Sequence, residues 1–318
     1  MSTRQSGLAL ITAMLVVAIV AAIAAYLSLG QEVWIRQTQN LADRSEANKV
    51  ADGALYLVLR VLDDDAKKNN PTDDLTQDWA QTIPPLPVEN GSVLIKIDDA
   101  QAKFNLNSVW RNGAPSQPDI GVLQRLLESL GIDPGLTDAL LDWIDPDSQP
   151  RPNGAEDLYY LTLKPPYRAA NQPLQSVDEL RLIRGFDAKT VDKLSPYVVA
   201  LPQPTSVNIN TTNAMVLSAL FTALPLQTAQ GLIDQRDKNK QPFMSKSDLQ
   251  ARAGQAPASD QIYDIKTSYF IADIQTSFGR LYRETQALIS RPGGGQPSSI
   301  LWQSAVLRAN LPQTGEPQ

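Results

Sequence analysis

Neither cysteine nor histidine occurs in the 318 residues. Together these absences exclude disulfides, thiol nucleophiles, Ser-His-Asp triads, imidazole acid/base chemistry and the usual ligands of zinc. An enzyme would have to work with carboxylates, Lys, Tyr or Ser alone, and no nucleophile and base stand in recognisable register. The sequence reads as a non-enzyme. A chain without cysteine suits the periplasm, although the cytosol permits it equally. Basic excess is missing too: 28 Lys and Arg face 34 Asp and Glu, for a net charge of −6. Strong electrostatic binding to nucleic acid or to an anionic lipid surface is therefore disfavoured. Proline is absent before Pro71, and no charged side chain occurs from Gln5 to Gln31.

What is present begins with a long apolar run. Leu8 to Leu29 is interrupted only by Thr12, Tyr26 and Ser28. As a helix it spans about 33 Å, enough to cross a bilayer core and longer than a typical signal-peptide apolar region. Arg4 precedes the run and Glu32 follows it, so the amino terminus stays cytoplasmic and the rest of the chain lies outside the inner membrane. Beyond Gly30 the apolar positions Val33, Ala47, Val50, Ala51, Ala54, Val58 and Leu62 recur at helical spacing. One helix from about residue 9 to 64 is expected, with Gly30 and Gly53 as points of bending or interruption.

After Pro71 the pattern changes. Alternation in SVLIKI and the Asn90-Gly91 pair predict a hairpin, with strands near 86–89, 92–98 and 103–109. TSYFIADIQTSFGRLYRETQALISR predicts two strands turning at Gly279, and ILWQSAVLR a last one. Residues 117–265 between them are helical in pattern, with Leu123, Leu126, Leu127 and Leu130 as core positions. Two segments look alike, SVDELRLIRGFDAKTVDKLSPYV and NINTTNAMVLSALFTALPLQTAQGLIDQRDKNKQPFMSKSDLQARAG, each placing helix, turn and helix in order. The second resembles the helix-hairpin-helix modules of competence-type DNA receptors. It has FTALPLQTA where those modules need glycines to bring backbone amides to phosphate. A membrane-anchored DNA receptor of that type is the alternative reading of the chain.

The stretch LLDWIDPDSQPRPNGAEDLYYL sets Asp142, Asp145, Asp147, Glu156 and Asp157 within sixteen residues. Counted from Asp145, an EF-hand register puts Asp147 third, Gln149 fifth and Glu156 twelfth, but Pro150 stands where the sharp turn needs Gly. Two readings stay open: a solvated acidic loop, or a calcium site in which a hard cation removes the repulsion among the carboxylates. Trp143 is expected in the core of its helix.

A short charged leader and a Gly directly before the apolar helix resemble the type IV pilin and pseudopilin leader, which implies cutting by a prepilin peptidase between Gly7 and Leu8. Most members carry Glu at the fifth residue after the cut; here it is Thr12, which cannot form the usual charge pair with a neighbouring subunit. Combined with DDAQAKFNLN, DWIDPD and GAED, PPYRAANQPLQSVDELRLIRGF and VNINTTNAMVLSAL, the chain resembles general secretion pathway protein K, the large minor pseudopilin of type II secretion.

That resemblance implies an α+β fold. A long N-terminal transmembrane and amphipathic helix would precede a pilin-like antiparallel sheet split by a large all-α inserted domain. The expected divisions are a leader at 1–7, the helix at 8–65, the first β part at 66–112, the insertion at 113–266, the second β part at 267–310 and a tail at 311–318. It further implies a single-pass inner-membrane protein, mostly periplasmic, with calcium in the acidic loop. Implied partners are the minor pseudopilins I and J, the prepilin peptidase and exported proteins that meet the pseudopilus tip, which this chain would cap.

Overall fold

Without a proline to stop it, the first segment forms one continuous helix, α1 (Thr3–Lys67). The structure is a computed structural model and describes residues 3–81, 83–279 and 281–306. At 1.5 Å per residue α1 is about 100 Å long. Gly30 and Gly53 interrupt nothing, and a Cβ at either would meet no atom within 4 Å. Within α1 the stretch Leu10–Lys67 is long and apolar enough to cross a membrane, and its most apolar window is wholly unburied. Further along, Ala47, Ala51, Ala54, Leu55, Val58 and Leu62 form a single buried stripe. Asn69, in the left-handed region at φ 52°, and Pro71 then turn the chain.

β1 (Leu86–Val88) and β2 (Gly91–Asp99) form the expected hairpin, with Val88 opposite Gly91. The left-handed turn position falls on Asn90 at φ 61°, not on Gly91. Gly91 is required for another reason: its Cβ would lie 2.4 Å from the backbone oxygen of Ser277 on the neighbouring strand.

The strand expected at 103–109 is corrected. Only β3 (Phe104–Asn105) is extended, and Leu106–Val109 is a 3-10 turn. The Asn105 side chain accepts from the backbone N–H of Asn107 at 3.1 Å and curls the chain. β3 also leaves the main sheet, so the first β part ends near Asp99 and not at 112. Next come the small hairpin β4 (Trp110–Arg111) and β5 (Ala114–Pro115), followed by α2 (Gln117–Ser129), α3 (Leu136–Ile144), α4 (Asp157–Tyr160) and α5 (Ala188–Leu194). β6 (Val198–Val199) closes this lobe by pairing parallel to β3.

A second lobe repeats the plan. β7 (Val207–Asn208) opens it, α6 (Ala214–Leu220), α7 (Leu226–Lys238) and α8 (Lys246–Ala253) fill it, and β8 (Tyr263–Asp264) pairs parallel to β7. The insertion is thus mainly helical but carries three short strand pairs.

The likeness between the lobes reaches single hydrogen bonds. Asn107 and Asn210, the second asparagines of FNLN and VNIN, each receive a backbone N–H and donate to the same residue's carbonyl. For Asn107 that residue is Leu174, and for Asn210 it is Phe243. One residue later, Gln175 donates its backbone N–H to Glu179 at 2.9 Å, and Met244 to Asp248 at 3.0 Å. Leu180 and Leu249 follow these acids and are fully buried.

The chain then returns through β9 (Tyr269–Phe278), β10 (Leu281–Ser290) and β11 (Ser299–Val306). The antiparallel sheet runs β1-β2-β9-β10-β11. Because β2 and β9 are direct neighbours, with Asp99 opposite Phe270, both lobes are an excursion from a hairpin connection. α1 packs on this sheet in a core of Ala51, Leu55, Val58, Leu62, Trp79, Ile95, Phe270 and Ile274, and the lobes share a separate core. Each fully buried large side chain contributes roughly 1.5–3 kcal/mol. Leu123, Leu126, Leu127, Leu130 and Trp143 all lie in the lobe core.

The junction between sheet and lobes centres on Asp99. It accepts from Asn208 Nδ2 at 2.8 Å and from the hydroxyls of Thr211 and Thr267 at 2.6 Å each. Burial still pushes its carboxyl up to about 6, although these bonds and the Gln101 N–H oppose the shift. Nearby, Arg291 pairs with Asp65 at 2.9 Å and Asp73 at 2.5 Å, tying the end of α1 to the exit of β10.

Candidate metal centre

α3 ends at Asp145, whose backbone is extended and is followed by Pro146, so the helix stops at that point. Asp142 and Asp145 share a face and are completely buried. Arg151, from the loop beyond, places one guanidinium nitrogen 2.5 Å from Asp142 Oδ1 and 2.5 Å from Asp145 Oδ2. Its backbone N–H also donates to Asp142 Oδ2 at 3.0 Å. Gly154 completes the fold-back: a Cβ there would lie 1.8 Å from Asp142 Oδ2.

The five acidic residues separate into two sets. Asp145, Asp147 and Glu156 each offer an oxygen, and the three atoms lie within 4.8 Å of one another. That limit is about twice a calcium–oxygen distance of roughly 2.4 Å, the range of spacings between oxygens that share one ion. Asp142 is held by Arg151. Asp157 turns to the segment beyond α4, meeting Arg168 at 3.2 Å and the N–H of Ala169 at 3.1 Å. Asp147 is exposed and accepts from the Gln149 N–H at 2.8 Å.

The cluster carries unsatisfied oxygen. Asp145 Oδ1 and both carboxylate oxygens of Glu156 are buried with no hydrogen-bond partner. Burial, then Asp142, Asp145, Asp147 and Asp157, push the Glu156 carboxyl up to about 7. Burial also raises Asp142, against the opposing bonds from Arg151. Orphaned carboxylate oxygens in a dense acidic cluster fit a hard, oxygen-seeking cation.

Arg151 and Gly154 had no visible role in the sequence. The signal that points to Arg151 is its position as the only cation between Asp142 and Asp157. Behind the loop, Trp143, Tyr160 and Tyr167 form an aromatic floor, with Tyr160 stacked on Tyr167 at 5.3 Å and edge-on to Trp143 at 5.1 Å.

Gly7 and Leu8 lie in the backbone of α1, and the Leu8 side chain lies outside what is described; Thr12 sits on the exposed part of that helix. Residues 1–2 and the tail 311–318 lie outside the described residues. In the segment that resembles a helix-hairpin-helix, Arg236 is buried and donates to the carbonyls of Ile209 and Thr212 at 2.8 and 2.9 Å.

Family models for type II secretion system protein K match residues 102–203 and 207–266, which correspond to the two lobes. A type II secretion system protein K of Klebsiella pneumoniae is 35% identical over 315 residues, covering 92% of this chain and 94% of its own. That of Pseudomonas aeruginosa is 34% identical, covering 100% and 96%. A chain in the crystal structure of the GspK-GspI-GspJ complex from the enterotoxigenic Escherichia coli type 2 secretion system superposes with a TM-score of 0.76. It is 27% identical, covering 86% of this chain and all of that one. The chain therefore belongs to the type II secretion system protein K family.

Proposed function

We propose that this protein is the minor pseudopilin that ends the periplasmic pseudopilus, assembled with the I and J minor pseudopilins. The observation that carries this is the excursion between β2 and β9: two lobes hang from one hairpin connection of a helix-and-sheet unit. Stacked inside a helical filament, such a bulk would collide with the subunit above. Thr12 adds a chemical reason, since a hydroxyl cannot replace the carboxylate that usually pairs with a neighbour's amino terminus.

The prepilin peptidase would cut between Gly7 and Leu8 and leave α1 first as an inner-membrane anchor, then as a filament stem. Immunogold labelling of isolated pseudopili tests the position: label is expected at ends, and label along shafts would sink the reading. Co-purification with I and J pseudopilins tests the partners.

Calcium belongs to the same proposal. Asp145, Asp147 and Glu156 would hold it, and the ion would supply charge neutralisation that closes the loop between α3 and α4. Calcium is expected to raise the melting temperature. Asp145→Ala with Asp147→Ala should abolish the increase, and no calcium response in the parent protein would favour a hydrated loop.

A further inference from the structure

Beside the acidic loop the surface changes character. α4 leaves Leu158 87% exposed, with Tyr159 at 37%, Leu161 at 46% and Leu182 at 47%. Leu158, Tyr159 and Leu161 share one turn, and contacts beneath it reach Leu182: Tyr159 lies edge-on to Tyr160 at 5.2 Å, Tyr160 stacks on Tyr167, and the Tyr167 hydroxyl donates to the Leu182 carbonyl at 2.8 Å. A leucine so exposed contributes almost nothing to the core. Single apolar residues on a surface are ordinary, but a contiguous set over a rigid aromatic floor is not.

Three cations stand around this patch although the whole chain is acidic, and Asp157 borders it at the start of α4. Arg184 sits over the Tyr159 ring at 5.2 Å and donates to the Gly154 carbonyl at 2.8 Å. Lys164 follows Leu161 by three residues, and Arg168, 75% exposed, reaches Asp157 at 3.2 Å. Among the described residues neither Lys164 nor Arg184 has a carboxylate at ion-pair distance. Tyr and Arg, the types that frame these exposed leucines, are enriched in binding hot spots, and the sign of the cations selects the partner's charge.

We propose that Leu158, Tyr159, Leu161 and Leu182, with Lys164, Arg168 and Arg184 around them, dock an acidic protein segment bearing apolar side chains. Its apolar groups cover the leucines, and its carboxylates meet the three cations.

The test uses the full chain in nanodiscs of zwitterionic lipid and fluorescence anisotropy of three labelled peptides. One alternates Asp with Leu and Phe, the second has Lys for Asp, and the third has Ser for Leu and Phe. The acidic apolar peptide is expected to bind at least tenfold more tightly than either control. Leu158→Ser with Leu161→Ser should weaken it tenfold without moving the unfolding midpoint, and Lys164→Glu should shift preference toward the Lys peptide. Equal binding of all three peptides overturns the proposal. So does binding to anionic vesicles, or self-association of the chain, that is lost in the leucine variant, because the occupant is then a membrane or a second copy.

Discussion

Arg151 sets one cation between two fully buried carboxylates, an arrangement whose loss leaves both without a counter-charge. Arg151→Ala is expected to reduce unfolding free energy by about 3 kcal/mol, read by urea titration, because removing one partner strands buried charge. Gly154→Ala should cost a similar amount, since its Cβ and Asp142 Oδ2 cannot share the same space. The pH response follows from Glu156 and Asp99, whose carboxyls burial raises to about 7 and about 6. Each acid binds its proton more tightly folded than unfolded, so folding is unpenalised in the low range where both states are protonated. Stability of the metal-free protein should then fall as pH climbs from about 4 to about 7. Calcium requires Glu156 ionised, so the increment it adds should grow across that window. Urea midpoints with EGTA and with calcium, at pH 4.5, 6 and 7.5, check both slopes; a metal-free midpoint that rises with pH contradicts the burial argument. The nearness of Asp145, Asp147 and Glu156 could be read in the sequence because they crowd into one short acidic loop. Arg151 stands out there only as the loop's one cation, because its effect depends on a loop that doubles back onto α3.

At the level of elements, the two Asn-x-Asn motifs do the same work in different lobes. Each second asparagine joins the turn after a short strand to a distant loop through one accepted and one donated bond. Asn107→Ala and Asn210→Ala are each expected to cost about 2–3 kcal/mol, since buried backbone groups lose their partners. Hydrogen exchange should accelerate mainly in the lobe that carries the substitution; equal acceleration in both would mean that the lobes unfold together. In α1, Gly53→Ala meets nothing within 4 Å and should add up to about 1 kcal/mol to helix stability, followed by thermal denaturation. The long helix was legible from its apolar spacing and lack of proline, and the sheet strands from their alternation. β3 was misread because FNLN has a strand's alternation, whereas the Asn105 side chain competes with the ladder and curls the chain.

For the whole molecule, the five-stranded sheet and the lobes have separate cores joined at Asp99. The insertion was legible as a helical interval between two β regions. Its starting point was not, since the ends of β2 and β3 look alike until the sheet to which each belongs is known. The helix-hairpin-helix likeness bears on the molecule's partners. With Arg236 buried and bonded to carbonyls, a gel-shift titration of residues 33–318 should detect no tight, salt-sensitive DNA binding; a shift at low nanomolar protein would revive the receptor reading. The parallel closure of each lobe bears on where such a chain can vary in length. Because β7 and β8 lie side by side, as β3 and β6 do, a lobe enters and leaves the molecule at nearly the same place. Length can therefore be gained or lost within a lobe without displacing the strands on either side of it.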